Sequence, residues 1–166
     1  MTALMVQTQS PEGQLDAFLK KYSSEIRELA HTVLARLRRL IPGAVEMVYD
    51  NYNALVIGFG PTERPSEAVI SIALYPRWIN LFFLNGIELT DPENILKGSG
   101  KFVRHVVVTD ASVLEQPAVV KLIRESTRLA DPPFRKTNPR RLIIKSISAK
   151  QRPRKPLVKL KTKANH

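Results

Sequence analysis

From Ile26 onward the apolar residues recur three or four positions apart: Ile26, Leu29, Ala30, Val33, Leu37, Leu40 and Ile41. That spacing predicts one helix with a single buried stripe. Ser23 or Ser24 can cap it, and Glu25 and Glu28 fall near the positive end of its dipole. Pro42-Gly43 ends it, since Pro cannot continue the hydrogen-bond ladder. A short helical turn around Leu15–Lys20 precedes it. Arg36, Arg38 and Arg39 sit where a helix favours cations, which makes a solvated, dipole-matched cluster the simpler reading than a binding site.

Beyond Gly43 the period changes. Ala44–Tyr49, Asn53–Phe59, Ala68–Tyr75, Trp78–Leu84 and Lys101–Val108 are rich in Val, Ile and aromatics, and Gly, Pro, Asn or Asp bounds each. They predict about five strands, and the short links between them predict a mostly antiparallel meander. A second helix is expected from Pro117 to Leu129, with Pro117 in its first turn. Both faces of the central strands are apolar: Leu55, Ile57 and Phe59 back onto Ala54, Val56 and Gly58, and Ile79, Leu81 and Phe83 onto Trp78, Asn80, Phe82 and Leu84. A sheet wet on one side alternates apolar with polar. Both faces are therefore expected to be covered, one by helices and the other by a second subunit, the tail or a ligand.

At 166 residues the chain suits one folded domain with an extension. Three parts are expected: a lead-in over 1–22, an α+β domain over 23–134, and a basic tail over 135–166. The fold class is α+β, with a long N-terminal helix, a five- to six-stranded mainly antiparallel sheet, a C-terminal helix and the basic extension. With no Cys there is neither a disulfide framework nor a thiolate site. No signal-peptide pattern opens the sequence and no apolar run reaches membrane-spanning length, so a soluble, cytoplasmic protein is expected.

Charge changes the picture most. Residues 1–134 hold 14 Lys/Arg against 15 Asp/Glu, whereas residues 135–166 hold 12 and none, which together give the net +11. The basic character belongs to the last 32 residues.

The stretch Leu89–Val108 is distinctive: Asp91, Pro92, Leu96, Gly98, Gly100, Lys101, Arg104, His105 and Val106 make an Asp-Pro, a Leu, a Gly-x-Gly-Lys and an Arg-His-Val. It resembles the signature of the YdhG-like family of small bacterial domains of unknown function. Pro42-Gly43-Ala44 and the strand around Asn80–Phe83 extend the likeness over roughly residues 24–130. The resemblance implies a helix, antiparallel sheet, helix fold. Some relatives are described as frataxin-like iron chaperones, which implies clustered acidic ligands. Here the long helix mixes Glu25 and Glu28 with Arg27, Arg36, Arg38 and Arg39, and the chain has three His, at 31, 105 and 166. Its chemistry departs from an iron site, so no metal or other cofactor is expected.

Candidate sites divide into two groups. Gly98-Ser99-Gly100-Lys101 suggests an anion loop, but Phe102 stands where a Walker motif needs Ser or Thr, and the segment enters a strand. A glycine turn is the simpler reading. Tyr49, Tyr75, Trp78, Asn80, Lys101, Arg104 and His105 are the ligand-pocket candidates, with Tyr52, Phe82 and Phe83 as further aromatics. Period two sends Arg104 and His105 to opposite faces. Core or a dimer interface is the competing reading for these aromatics, and an apolar pocket open beside Trp78 would favour a small ligand. No Ser-His-Asp set, supported carboxylate pair or HExxH motif is present, so no enzyme is expected.

The second group is the tail: Arg135, Lys136, Arg140, Arg141, Lys145, Lys150, Arg152, Arg154, Lys155, Lys159, Lys161 and Lys163, with no acid among them. Such a segment attracts phosphates through counterion release. Leu142-Ile143-Ile144 and Ile147 can instead dock on the body as an extra edge strand. The expected function is a non-enzymatic binding module whose tail contacts nucleic acid or another polyanion. The alternative is a small-ligand or iron-handling protein using the concave sheet face, and a homodimer through that face is a further possibility.

Overall fold

The computed structural model describes residues 9–157. Helix α1 (Pro11–Leu19) is capped by the Ser10 side chain, and α2 (Ser24–Leu40) by Ser23, whose Oγ accepts from the Ile26 N–H. Strands β1 (Val45–Asp50), β2 (Leu55–Gly60), β3 (Ile70–Leu74), β4 (Ile79–Phe83) and β5 (Arg104–Val108) follow, then α3 (Pro117–Arg128) and β6 (Arg141–Ile147). The sheet order is β5-β4-β3-β2-β1-β6. The first five strands form the expected antiparallel meander, but β6 lies parallel to β1, so the sheet is mixed. The first helix of the chain is the short α1, and the long stripe predicted from Ile26 is α2.

Cross-strand register explains the core. Three rows run across the sheet on its helix-covered face: Asp50-Leu55-Leu74-Ile79-Val108, Val48-Ile57-Ile72-Leu81-Val106, and Glu46-Phe59-Ile70-Phe83-Arg104. The apolar members join buried residues of all three helices in one cluster, with Leu19, Leu34, Leu37, Leu122 and Ile123 among them. The middle row is wholly apolar, whereas each outer row ends in a carboxylate on β1. The opposite face carries Met47, Gly58, Ser71, Phe82 and His105 in one row and Tyr49, Val56, Ala73, Asn80 and Val107 in the next. Met47, Ser71 and Ala73 are buried there, while Phe82, Asn80 and Val107 are half-buried.

The segment expected to be a tail is, in large part, structure. Leu142 and Ile144 of β6 pack against the core, and Gln151 to Arg154 run back along the end of β1. Gly43 marks where this segment crosses the body. Its φ is +80°, and a Cβ there would lie 2.0 Å from the carbonyl oxygen of Arg135. Glycine is needed both for the left-handed backbone and for that close approach.

Candidate nucleic-acid interface

The C-terminal segment is fastened at two points, both on the core-facing side of β1. Glu46, fully buried, receives Arg38 of α2 in a forked contact, Nη2 to Oε1 at 2.8 Å and Nε to Oε2 at 3.0 Å. Arg140 Nη1 reaches the same carboxylate at 3.1 Å and its Nη2 reaches Glu12 at 2.6 Å. Burial works against the Arg140 charge, but Glu46 and Glu12 outweigh it and raise its pKa. At the other end of β1, fully buried Asp50 takes Lys21 Nζ on Oδ2 at 2.7 Å and Arg154 Nη2 on Oδ1 at 2.9 Å. Lys21 also donates to Gln151 Oε1, and Gln151 Nε2 donates to the Asp50 carbonyl.

A buried carboxylate is costly unless paired. Here each is shared between one cation of the body and one of the C-terminal segment. For Asp50, burial alone would raise the pKa, but hydrogen bonds from Lys21, Gln151 and Arg154 prevail and hold it below the usual carboxylate value. Tyr22 completes this end. Its hydroxyl donates to the Leu74 carbonyl at 2.8 Å and accepts from the Leu55 N–H at 3.0 Å, with the Arg154 guanidinium 5.8 Å from its ring centroid.

Fixing Arg154 fixes its neighbours. The Arg152 N–H donates to the Tyr52 carbonyl at 2.8 Å, and its guanidinium lies 5.6 Å from the Tyr52 ring centroid. Arg152, Pro153, Lys155, Pro156 and Leu157 then face Asn53, Tyr75, Pro76, Arg77 and Trp78 across a groove of about 810 Å³. Tyr75 and Trp78 stack at 5.2 Å between centroids and 23° between planes, on the tight connection between β3 and β4. That connection closes with the Tyr75 N–H donating to the Trp78 carbonyl. The indole remains 38% exposed. Arg77, Arg152 and Lys155 form no ion pair among the described residues, and no carboxylate lines the groove.

The expected residues therefore sort by place. Of the twelve tail cations, Arg140, Arg141 and Arg154 are ion-paired inside the protein, Arg141 with Glu63 at 3.1 Å, and Lys145 Nζ donates to the Glu63 carbonyl. The absence of acid within the tail's own sequence is thus corrected in space, because β6 lies beside acids of the body. Arg154 is only 5% exposed and acts as an anchor within the protein. Arg135, Lys136 and Lys150 are exposed, Arg152 and Lys155 line the groove, and Lys159, Lys161 and Lys163 lie outside the described residues.

The seven pocket candidates do not converge on one cavity. Tyr75 and Trp78 reach the groove, whereas Tyr49, Asn80 and His105 lie on the second sheet face, where His105 rests 5.5 Å from Phe82. Arg104 Nη1 donates to the Val103 carbonyl, and Lys101 Nζ sits over its neighbour Phe102. The motif around Asp91 is architectural. Its carboxylate accepts from the Ile95 and Leu96 N–H groups, Gly98 has φ +117°, and Lys97 pairs with His105 of β5 in an isolated antiparallel bridge. Among the described residues no group of three or more His, Asp or Glu is arranged to hold a metal, and no helix is long and apolar enough to cross a membrane.

Sequence reading missed Glu46 and Asp50. The signal was present: period two places both on the face of Val48, between apolar positions, where a carboxylate demands a cation.

Compared with known proteins, the chain matches no family model, no curated protein and no solved structure.

Proposed function

We propose that the chain is a non-enzymatic, cytoplasmic module that binds single-stranded nucleic acid in the groove between Trp78 and the 152–157 segment, on a YdhG-like body. The observation that carries this is the meeting of a half-exposed, stacked indole with three cations that form no ion pair among the described residues, from two distant parts of the chain. Single strands are held by such pairs: aromatic faces stack bases without regard to sequence, and cations track the backbone. Duplex DNA hides its base faces, so it could use the charges alone. The YdhG-like part of the reading is supported by the Asp91–Val106 motif and by the helix-sheet-helix order.

Trp78 is the sole tryptophan, so its emission reports directly on the groove. Titration of the full chain with a labelled oligo(dT) 12-mer at ~50 mM salt, where screening is weak, is expected to quench the indole and raise anisotropy together. Each phosphate contact contributes about −0.7 to the log–log salt slope for single strands. Arg152→Gln with Lys155→Gln should therefore flatten the slope by about 1.4. Trp78→Ala should weaken binding by about 1–3 kcal/mol. Unchanged binding in both variants, or none in the parent, would refute the reading.

A small aromatic anion is the second reading, favoured by the groove's volume, which falls within the range of small-molecule sites. It predicts quenching that saturates with a mononucleotide as tightly as with the 12-mer.

A further inference from the structure

A second groove, of about 610 Å³, shares no residue with the first. It forms where three segments meet: the end of α2 with Arg39 and Leu40, the second half of α3 with Arg124 and Arg128, and the crossing segment with Phe134 and Lys136. Its rim carries four cations. No carboxylate lines it, and none of the four forms an ion pair among the described residues.

Gathering like charges around a concavity raises the free energy of the folded chain and creates a strong positive potential inside. Helix dipoles account for Arg39 and Arg128, which sit in the last turns of α2 and α3. They do not account for Arg124, one turn earlier, or for Lys136, which lies on no helix. Its apolar lining is Leu40, Pro42, Pro133 and Phe134. The backbone beside it is held close: the carbonyl of Arg135, between the lining residues Phe134 and Lys136, packs against Gly43, next to Pro42, more closely than any side chain would permit. The cleft thus joins four exposed cations to an apolar lining.

We propose that this cleft binds a small organic phosphate, its phosphates on the arginine rim and its flat apolar part against Phe134. Guanidinium groups suit phosphate because their planar donors meet two oxygens at once. A volume of about 610 Å³ fits one small molecule. The proposal stands apart from the nucleic-acid reading, since the two grooves have no residue in common.

Calorimetric titration of the full chain with ADP tests it, with adenosine and pyrophosphate as the two halves of the probe. ADP is expected to bind one to one, at least tenfold tighter than either half. Arg124→Gln with Arg128→Gln should weaken ADP at least tenfold and Lys136→Gln by a smaller factor, while Trp78→Ala leaves it unchanged. All these positions are exposed, so circular dichroism should show the parent fold in each. The proposal is overturned if ADP gives no heat, if the rim variants bind as the parent does, if Trp78→Ala abolishes the signal, or if pyrophosphate alone binds as tightly as ADP.

Discussion

Asp50 and Gly43 are single residues on which the placement of the whole C-terminal segment turns. Asp50→Asn removes the charge shared by Lys21 and Arg154 and leaves a buried guanidinium without its counter-charge. A loss of about 3 kcal/mol is expected, because breaking a buried pair from one side costs more than the pair itself contributes. Chemical denaturation of the variant beside the parent checks this. Gly43→Ala meets two obstacles, the left-handed φ of +80° and the Arg135 carbonyl 2.0 Å from the new Cβ. The backbone of one segment must give way, so a loss above about 2 kcal/mol is expected. The same denaturation experiment reads it, and an unchanged midpoint would mean that the crossing is looser than the geometry states.

Among the elements, the helices and the five-strand meander were legible because each follows from its own period: 3.6 for the α2 stripe, 2 for the strands. β6 was legible only as an alternative. Leu142-Ile143-Ile144 marks a strand, but its parallel pairing with β1 depends on residues nearly a hundred positions away, which no local period encodes. The groove failed to emerge for the same reason. Trp78 with Tyr75, and Arg152 with Lys155, were each visible by type, yet they stood as two unrelated candidates until Asp50 and Arg154 brought the segments together. Ile144 is the test at this scale, as it faces the core from β6 opposite Val48. Ile144→Lys should detach the strand while leaving the meander folded. Limited proteolysis is expected to cut between residues 135 and 157 in the variant and to spare that stretch in the parent.

Across the whole molecule, pH should act through the Asp50 end of β1, where Tyr22 also lies. A carboxylate with a depressed pKa in the folded state contributes stability that is complete above its unfolded value, near 3.9, and declines as pH falls towards the folded one. Asp50 is such a group. The fold should therefore weaken below about pH 4, and Asp50→Asn should flatten that part of the profile. Tyr22 sets the alkaline limit. Burial, partly offset by its hydrogen bond from Leu55 and by Arg154, pushes its hydroxyl up from 10.0 to about 12. The unfolded chain ionises first, so stability should fall between about pH 10 and 12, and Tyr22→Phe should lessen that decline, to which Tyr49, also raised by burial, contributes. Thermal midpoints across the pH range measure both.

The pairing of β1 with β6 also has a history in time. A ribosome adding about 5–20 residues per second completes β1 and then needs roughly 5–20 s more before β6 follows it. Throughout that interval one edge of the nascent sheet has no partner, and an open edge invites pairing with a neighbouring chain. Glu46 and Asp50 then lack Arg140 and Arg154, which are not yet made, and two charges on the inward face make that edge a poor template for intruders. The carboxylates that later hold the C-terminal segment in place thus first keep its seat vacant.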